Sequence, residues 1–274
     1  MAGERKVIPM VINTRMISEN TRYAIIQNML VIPFQVEHPE KLQAALLPPP
    51  LKPLGNGDIG WVYFVDTVLP ALRDVPGEPP DPDLTEFAEI SIGMPCIAEG
   101  KERGIFTQLA LDRPTAGLKR GILRHLAYTQ LTQTHPMLEG RRSVSPGVQL
   151  VGISHRPHGE MVACGTMTVT HSEPWEDVPE YMKTFLHMRY ITDPTQGGKP
   201  LIADFCDCVF PEPLAGDVAW RGETTLLFGG DCYGRFHEIG PYQALQGYFF
   251  TIAYCYGSDE QVALMEGVRP WQWA

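Results

Sequence analysis

Short segments rich in β-branched and aromatic residues, separated by turns, dominate the hydrophobic pattern of this 274-residue chain. Residues of these two kinds favour strands, because their side chains pack well on a pleated surface. The predicted strands are residues 28–35, 60–66, 86–96, 105–111, 148–154, 161–170, 201–210 and 224–228. Many short strands with few helices indicate an α+β fold that is mainly antiparallel β, with its sheet curled into a barrel or sandwich.

Helical spacing of apolar residues is rare in the sequence. The predicted helices are residues 40–46, 120–132, 175–187, 242–253 and 260–266. Residues 48–53 and 76–83 are rich in proline, which offers no backbone donor to a sheet and therefore predicts loops. Because both loops are short and flanked by strand-like segments, we expect one domain over residues 1–274.

The charge balance narrows the partners that the protein can have. Lys and Arg number 22 against 32 Asp and Glu, which gives a net charge of −10. A negative chain repels phosphate backbones, so we expect no nucleic-acid partner. The apolar stretch at 248–256 is far shorter than the ~20 residues of a membrane span, and the apolar run at 7–12 is too short for a secretory signal. We therefore expect a soluble, cytoplasmic protein with no membrane partner.

Neither metal nor cofactor chemistry has a clear motif in the chain. One residue separates Cys206 from Cys208, whereas zinc sites usually place about two to four residues between paired cysteines. His155, His158 and Glu160 fall in a predicted hairpin turn, where metal ligands would face solvent without supporting groups. No glycine-rich phosphate loop links a strand to a helix. The sequence therefore predicts no metal and no cofactor, and the six cysteines are expected to be mostly small buried thiols.

An acidic residue interrupts the apolar strand predicted at 86–96. Alternation along the strand places Glu89 and Ser91 on one face and Ile90 and Ile92 on the other. The isoleucine face is typical of a core. The glutamate face either meets solvent or lines a cavity, and the strand pattern alone leaves both open.

Basic residues cluster at one point of an otherwise acidic chain. Lys119, Arg120, Arg124 and His125 fall within seven residues. On the predicted helix, Arg120 and Arg124 lie four residues apart and share a face. They form either a solvated, ion-paired surface or a hook for a substrate carboxylate, which arginine can bind through two hydrogen bonds.

The order of these features resembles that of the acetoacetate decarboxylase family, over residues 28–256. The resemblance rests on the segments GWVYFVD, FTQLALD and AWRGETTLLF and on the acid-bearing strand between the first two. It implies one curled β-barrel or cone with peripheral helices, preceded by an N-terminal extension at residues 1–22. It also implies a homo-oligomer, an assembly that the aromatic segment at 247–257 would favour.

Members of this family use a lysine that forms a Schiff base with a β-keto acid, and the iminium accepts the electrons released with carbon dioxide. Counted from Leu111, the place of that lysine falls on Tyr128 without a gap and on Ala127 with one deletion. Glu89 matches the family's strand glutamate, which contacts the reacting end of the substrate. Gln27 falls near the place of the arginine that binds the substrate carboxylate. The resemblance therefore implies a divergent member without the Schiff-base lysine.

We therefore expect an enzyme, a lyase or cyclase of specialised metabolism, that acts on a small keto-acid or polyketide-like substrate. Glu89 would move protons, while Tyr128 and Arg120 stabilise an enolate. The residues expected to bind the substrate are Gln27, Trp61, Tyr63, Arg124 and His125. Two alternatives stay open: a Schiff-base decarboxylase that uses a displaced lysine such as Lys119, and a non-catalytic protein that binds a small ligand.

Overall fold

The computed structural model describes residues 23–68, 86–112, 125–133, 144–192, 200–209, 218–230 and 235–256. The described strands are β1 (Tyr23–Val36), β2 (Lys52–Pro53), β3 (Ile59–Val68), β4 (Glu86–Ala98), β5 (Lys101–Leu111), β6 (His125–Leu126), β7 (Tyr128–Gln133), β8 (Gln149–His155), β9 (Met161–Pro174), β10 (Thr184–Thr192), β11 (Pro200–Val209), β12 (Val218–Phe228), β13 (Tyr242–Ala244) and β14 (Gly247–Tyr256). The described helices are α1 (Pro39–Leu46) and 3-10 helices at Trp175–Asp177, Glu180–Met182 and Phe236–Glu238. No helix within these ranges is long and apolar enough to cross a membrane.

All of these strands belong to one sheet. Its main path runs β11-β10-β5-β4-β3-β1-β14-β12-β9-β8-β7, while β13, β2 and β6 pair with β1, β4 and β5. Neighbouring strands are antiparallel except for the pairs β10–β5 and β5–β6, which are parallel. The predicted α+β fold, mainly antiparallel β with peripheral helices, is confirmed, with these two parallel pairs as exceptions.

All eight predicted strands overlap observed ones, and the first predicted helix is α1. Three helix predictions are wrong. Residues 125–132 fall in β6 and β7, residues 175–187 form two 3-10 helices followed by β10, and residues 242–253 fall in β13 and β14. Residues 120–124 and 260–266 lie outside the described residues.

Strand β7 shows why the leucine spacing at 120–132 was misleading. Thr129 is buried, whereas its neighbours Tyr128 and Gln130 are exposed, which is the period-2 burial of a strand. The backbone of β7 pairs with β8 from Tyr128 to Gln133. A partner strand that is distant in sequence therefore overrides the local helical pattern.

The sheet curls so that β7 and β8 pack against β3, and β7 also packs against β4. One face of β1, β3 and β4 points into the space enclosed by this curl, where it meets the inward faces of β8, β9 and β12. Members of this inner core include Leu30, Ile32, Phe64, Ile90, Leu150 and Met167. Leu42 and Leu46 of α1 pack in the same core.

The outer face of β1 and β3 is buried as well, so these two strands are covered on both sides. Met29 of β1 and Trp61, Tyr63 and Val65 of β3 point to this outer face. The aromatic rings that pack around them belong to Phe106, Trp175, Tyr181, Phe185, Tyr248 and Phe250. We refer to these rings with Trp61 and Tyr63 as the aromatic cluster.

Gly152 lets β8 approach β3 inside the curl. A Cβ atom at this position would lie 2.3 Å from Phe64 Cγ, and Phe64 is fully buried. We expect Gly152→Ala to lower the free energy of unfolding by about 1–3 kcal/mol, because the core must shift to admit the methyl group. Gly230→Ala is the control, since Gly230 is exposed and nothing lies within 4 Å of its added Cβ. Equal urea-unfolding stability of the two variants would contradict this packing.

Candidate functional site

Polar side chains gather on the outer face of the sheet at one end of β1, β3 and β4. Gln27 of β1 lies opposite Thr67 of β3, and Glu89 of β4 lies diagonally from Thr67. Ser91 shares the face of Glu89, because Ile90 between them points into the inner core. We refer to Gln27, Thr67, Glu89 and Ser91 as the polar cluster.

The polar cluster is withdrawn from solvent. The exposed fraction is 2% for Gln27, 0% for Thr67, 7% for Glu89 and 1% for Ser91. Gln27 Nε2 donates to Thr67 Oγ1 at 3.0 Å, and Ser91 Oγ donates to Glu89 Oε1 at 3.5 Å. Since an unsatisfied buried polar group costs about 1–3 kcal/mol, these bonds offset the burial of polar atoms. Of the two environments that the sequence left open for Glu89, solvent exposure is therefore excluded.

Asp112 anchors the end of β5 beside the strand of Glu89. Its Oδ1 accepts a hydrogen bond from the Ala88 N–H at 2.9 Å, and its own N–H donates to the Ala88 carbonyl at 3.1 Å. The preceding residue, Leu111, lies opposite Glu89. The basic residues that follow, Lys119, Arg120 and Arg124, lie outside the described residues.

Tyr128 also points to the outer face of the sheet. It lies just after β6, which pairs with β5 on the side opposite to β4. Ala127 donates its N–H to the Leu111 carbonyl at 3.0 Å and is buried in the inner core, so Tyr128 points outward. Glu89 of β4 lies opposite Leu111 of β5, and Leu111 lies opposite Leu126 of β6. Leu126 precedes Tyr128 by two residues. This register separates the Cα atoms of Tyr128 and Glu89 by about 12 Å. The Tyr128 side chain is 45% exposed, and its ring lies 5.8 Å from that of His155.

Trp61 and Tyr63 belong to the aromatic cluster, which adjoins the polar cluster along β3. Tyr63 lies opposite Ser91, and its hydroxyl donates to the Met182 carbonyl at 3.3 Å. Trp61 lies one position further from Glu89 on the same face. Its ring stacks on that of Tyr181 with the centroids 5.6 Å apart. Tyr63 therefore borders the polar cluster, whereas Trp61 packs away from it.

The structure places the predicted site residues in four groups. Gln27, Tyr63 and Glu89 lie together on one outer face, with Tyr128 two strands away from Glu89. Trp61 lies in the aromatic cluster. His125 is on β6, which pairs with β5. The two predicted arginines lie outside the described residues.

Sequence reasoning missed Thr67 and left Ser91 without a role. Ser91 stands two residues after Glu89, so the alternation that singled out Glu89 also placed it on the same face. Thr67 lies four residues after Tyr63 on β3, so its side chain points to the same face. Its partnership with Gln27, however, depends on the register between β1 and β3, which no local pattern reveals.

A profile of the acetoacetate decarboxylase family matches residues 8–263. The chain belongs to the acetoacetate decarboxylase family. This membership confirms the resemblance seen in the sequence, and it makes the protein a member of a family of enzymes. A search of curated proteins finds no match.

Solved structures of the acetoacetate decarboxylase type share the fold of the chain. An acetoacetate decarboxylase-like enzyme from Sphingomonas wittichii is 17% identical, with a TM-score of 0.73 over 92% of this chain and 95% of that one. The enduracididine biosynthesis enzyme MppR, complexed with pyruvate, is 17% identical, with a TM-score of 0.67 over 86% and 88%. Acetoacetate decarboxylase from Legionella pneumophila is 19% identical, with a TM-score of 0.64 over 89% and 87%.

Three tyrosines of the aromatic cluster have raised pKa values in this decarboxylase-family chain. Burial raises the pKa of Tyr63 well above its usual value, and the nearby Tyr181 and Tyr248 raise it further. Burial also raises the pKa of Tyr181, with a further contribution from Glu102. Burial raises the pKa of Tyr248 to about 12, although the Arg221 guanidinium, 4.0 Å from the ring centroid, acts to lower it. These three phenols therefore remain protonated at neutral pH.

Tyr248 predicts a loss of stability at alkaline pH. Its pKa is about 12 in the folded protein and ~10 in the unfolded chain. Below about pH 10 both states keep the proton, whereas between about pH 10 and 12 only the unfolded state releases it, so folding loses stability as pH rises. We expect the free energy of unfolding in urea to fall more steeply between about pH 10 and 12 for the wild type than for Tyr248→Phe. Parallel pH profiles of the two proteins would contradict this expectation.

Proposed function

We propose that this protein is an enzyme of specialised metabolism that acts on a keto-acid or polyketide-like substrate without a Schiff base. The reaction is a decarboxylation, aldol reaction, dehydration or cyclisation that passes through an enolate. The observation that carries this proposal is the buried carboxyl of Glu89, which accepts a hydrogen bond from Ser91 on the outer face of the sheet.

Glu89 is the proton-transfer group in this proposal. Its carboxylate removes a proton from the carbon next to a carbonyl, and the electron pair moves onto the carbonyl oxygen as an enolate. In a decarboxylation the bond to the substrate carboxylate breaks instead, carbon dioxide leaves, and protonated Glu89 delivers its proton to the carbon. Burial keeps bulk water from competing for that proton, and Ser91 favours one orientation of the carboxyl group.

The lysines of the described residues support chemistry without an imine. Lys183 donates to the Trp175 and Glu176 carbonyls at 3.4 Å. The other three are exposed: Lys41, Lys52 and Lys101. Counting along the sequence from Leu111 puts the place of the family's lysine at Tyr128 without a gap or at Ala127 with one deletion. Lys119 lies outside the described residues. It is the candidate nucleophile in the alternative mechanism, a Schiff-base decarboxylation with a displaced lysine.

Hydrogen-bond donors must replace the iminium as the stabiliser of negative charge. We assign this role to the Tyr128 hydroxyl and the Arg120 guanidinium. One donor aimed at an enolate oxygen contributes about 3–4 kcal/mol where water is excluded. The Tyr128 side chain is 45% exposed, so this contribution requires the bound substrate to displace the water around its hydroxyl. The separation of about 12 Å between the Cα atoms of Tyr128 and Glu89 leaves room for a small substrate between the two side chains. We assign substrate binding to Gln27, Tyr63, Arg124 and His125. Trp61, expected from the sequence to join them, is instead fully buried in the aromatic cluster.

A structural neighbour supports small oxo acids as the first substrates to test. MppR, an enzyme of enduracididine biosynthesis, has structures with pyruvate and with the condensation product of pyruvate and imidazole 4-carboxaldehyde. By analogy, the proposed substrate class is an oxo acid with or without an aldehyde partner. The proposed chemistry uses no cofactor, and we propose a cytoplasmic homo-oligomer with one domain over residues 1–274.

Enolisation without a covalent imine is the first testable consequence. In D₂O we expect the protein to accelerate exchange of the pyruvate methyl protons over the buffer rate, followed by proton NMR, because Glu89 removes them. After treatment with pyruvate and borohydride, the intact mass is expected to remain 30.6 kDa, because there is no imine to reduce.

Each alternative predicts a different outcome of this experiment. A borohydride adduct on a lysine would overturn the proposal in favour of Schiff-base chemistry through a displaced residue such as Lys119. Pyruvate binding without proton exchange, together with no turnover of other oxo acids, would indicate a protein that only binds its ligand.

The roles of Glu89 and Tyr128 predict separate losses of activity. Glu89→Gln should lower the exchange rate about 10²–10⁴-fold, because the amide cannot accept the proton. Tyr128→Phe should lower it about 10²–10³-fold, because the enolate loses a donor. Glu102→Gln is the matched control on an exposed position of β5 and should keep the wild-type rate. A folded Glu89→Gln or Tyr128→Phe variant with the control's rate would remove that residue from the mechanism.

A further inference from the structure

The end of β8 brings a histidine next to Tyr128. Tyr128 of β7 lies directly opposite His155 of β8. The adjacent pair on the same two strands is Thr129 with Ser154, which are both buried, and Thr129 Oγ1 donates to Ser154 Oγ at 3.0 Å. Because side chains alternate along a strand, Tyr128 and His155 both point to the outer face. Their ring centroids lie 5.8 Å apart.

Both side chains retain the capacity to bind a ligand. Within the described part of the chain, neither the Tyr128 hydroxyl nor the His155 ring is hydrogen-bonded to another residue. Tyr128 is exposed and His155 is half-buried. In the polar cluster, by contrast, the side chains bond to one another. A phenol and an imidazole can each donate a hydrogen bond to an oxygen atom of a ligand.

The backbone around His155 fixes the position of its ring. The pairing of β8 with β9 shifts register between Ser154 and His155, and such bulges are common next to functional sites. The turn that follows is closed by a hydrogen bond from the Arg156 N–H to the Glu160 carbonyl at 2.7 Å. The Arg156 side chain is buried, so this turn is also anchored from the inside. His155 therefore stands on a rigid frame beside Tyr128.

His155 can supply the positive charge that the polar cluster lacks. Apart from the Glu89 carboxyl, the side chains of that cluster are neutral, and the chain carries a net charge of −10. A substrate carboxylate that enters such a site needs a donor or a cation to replace its water. An imidazole donates through a ring N–H and also carries a positive charge when it is protonated. Glu160, the carboxylate of the adjoining turn, lies 3.3 Å from His158 Nε2.

We propose that His155 binds the carboxylate of an α-oxo acid. Glu89, Tyr128 and His155 follow one another in this order across the outer face, on β4, β7 and β8. In an α-oxo acid the carbonyl lies between the acidic carbon and the carboxylate. With the acidic carbon at Glu89 and the carbonyl oxygen at the Tyr128 hydroxyl, the carboxylate falls beside His155. This assignment rests on the roles proposed above for Glu89 and Tyr128.

The same order does not suit a β-keto acid. In that class the acidic carbon lies between the carbonyl and the carboxylate. A carbonyl at Tyr128 would then direct the carboxylate toward the Glu89 carboxyl, where two negative charges repel each other. His155 thus narrows the substrate class to α-oxo acids. Because loss of carbon dioxide from an α-oxo acid leaves no enolate, it also narrows the reaction to an aldol reaction, a dehydration or a cyclisation.

Binding of pyruvate tests the role of His155. We expect His155→Ala to raise the dissociation constant of pyruvate about 10-fold in ligand-observed NMR, because a hydrogen bond to a charged group is lost. His158→Ala is the matched control on an exposed position of the same turn and should bind as the wild type. Pyruvamide has the same carbon frame without the charge, so its affinity should not depend on His155. A wild type that binds no pyruvate, or equal affinities of the two variants, would overturn the proposal.

A rescue variant and a second acid separate carboxylate binding from a packing defect. His155→Arg should return the affinity for pyruvate toward that of the wild type, because a guanidinium also binds a carboxylate. A loss that persists in His155→Arg would assign the effect to packing against Tyr128 and overturn the proposal. The affinity for acetoacetate, a β-keto acid, should be the same in His155→Ala and the wild type. A loss as large as that for pyruvate would overturn the preference for α-oxo acids.

Turnover distinguishes this proposal from the chemistry assigned to Glu89. In the proton-exchange assay, His155→Ala should raise KM for pyruvate and keep the wild-type kcat, because the carboxylate is bound equally before and during proton removal. Pyruvate binding that depends on His155, without exchange in the wild type, would overturn proton transfer by Glu89 and retain the carboxylate contact. Exchange with a KM that does not depend on His155 would overturn the carboxylate contact and retain the proton transfer.

Discussion

The burial of β1 and β3 on both faces is the constraint from which the rest of the structure follows. Along β1, Leu30 and Ile32 point into the inner core, while Met29 and Val31 point to the outer face. A strand with two apolar faces needs a cover on each side. The curl of the sheet supplies the inner cover, and the β10 region with its preceding 3-10 helices supplies the outer one. Only glycine at 152 admits the ring of Phe64 between the two layers of the curl.

This double burial also explains how polar groups can be held away from water. The outer face of β3 is continuous from Trp61 to Thr67, so the polar cluster extends an apolar surface rather than opening onto solvent. Burying a hydroxyl or amide without a partner would destabilise the fold. The hydrogen bond from Gln27 to Thr67 reduces that cost and ties β1 to β3 through side chains as well as backbone. The same interaction therefore supports the fold and orders the site.

The strands and Glu89 were predictable because both depend on period-2 alternation within one segment. The helix expected at 120–132 shows the limit, since leucine spacing in a short apolar segment fits a helix and a strand equally well. The pairing of β7 with β8 decides between them, and that pairing joins residues that no local pattern connects. The parallel contact of β5 with β10 and the partnership of Gln27 with Thr67 are long-range in the same sense. Composition and alternation thus identify elements and faces, whereas sheet order and register come from three-dimensional packing.

The proposed chemistry without a Schiff base changes what the protein must do to hold its substrate. An imine fixes the substrate by a covalent bond and supplies its own electron sink. Without that bond, hydrogen bonds alone must set the distance between the reacting carbon, the Glu89 carboxyl and the donors at the enolate oxygen. Rigid placement of these groups then favours the reaction more than an additional contact with the substrate would. Strands buried on both faces provide such rigidity, because a side chain on one face cannot shift without disturbing the packing on the other. The burial of these strands on both faces therefore stabilises the core and also holds in place the groups of the proposed chemistry on the outer face of the sheet.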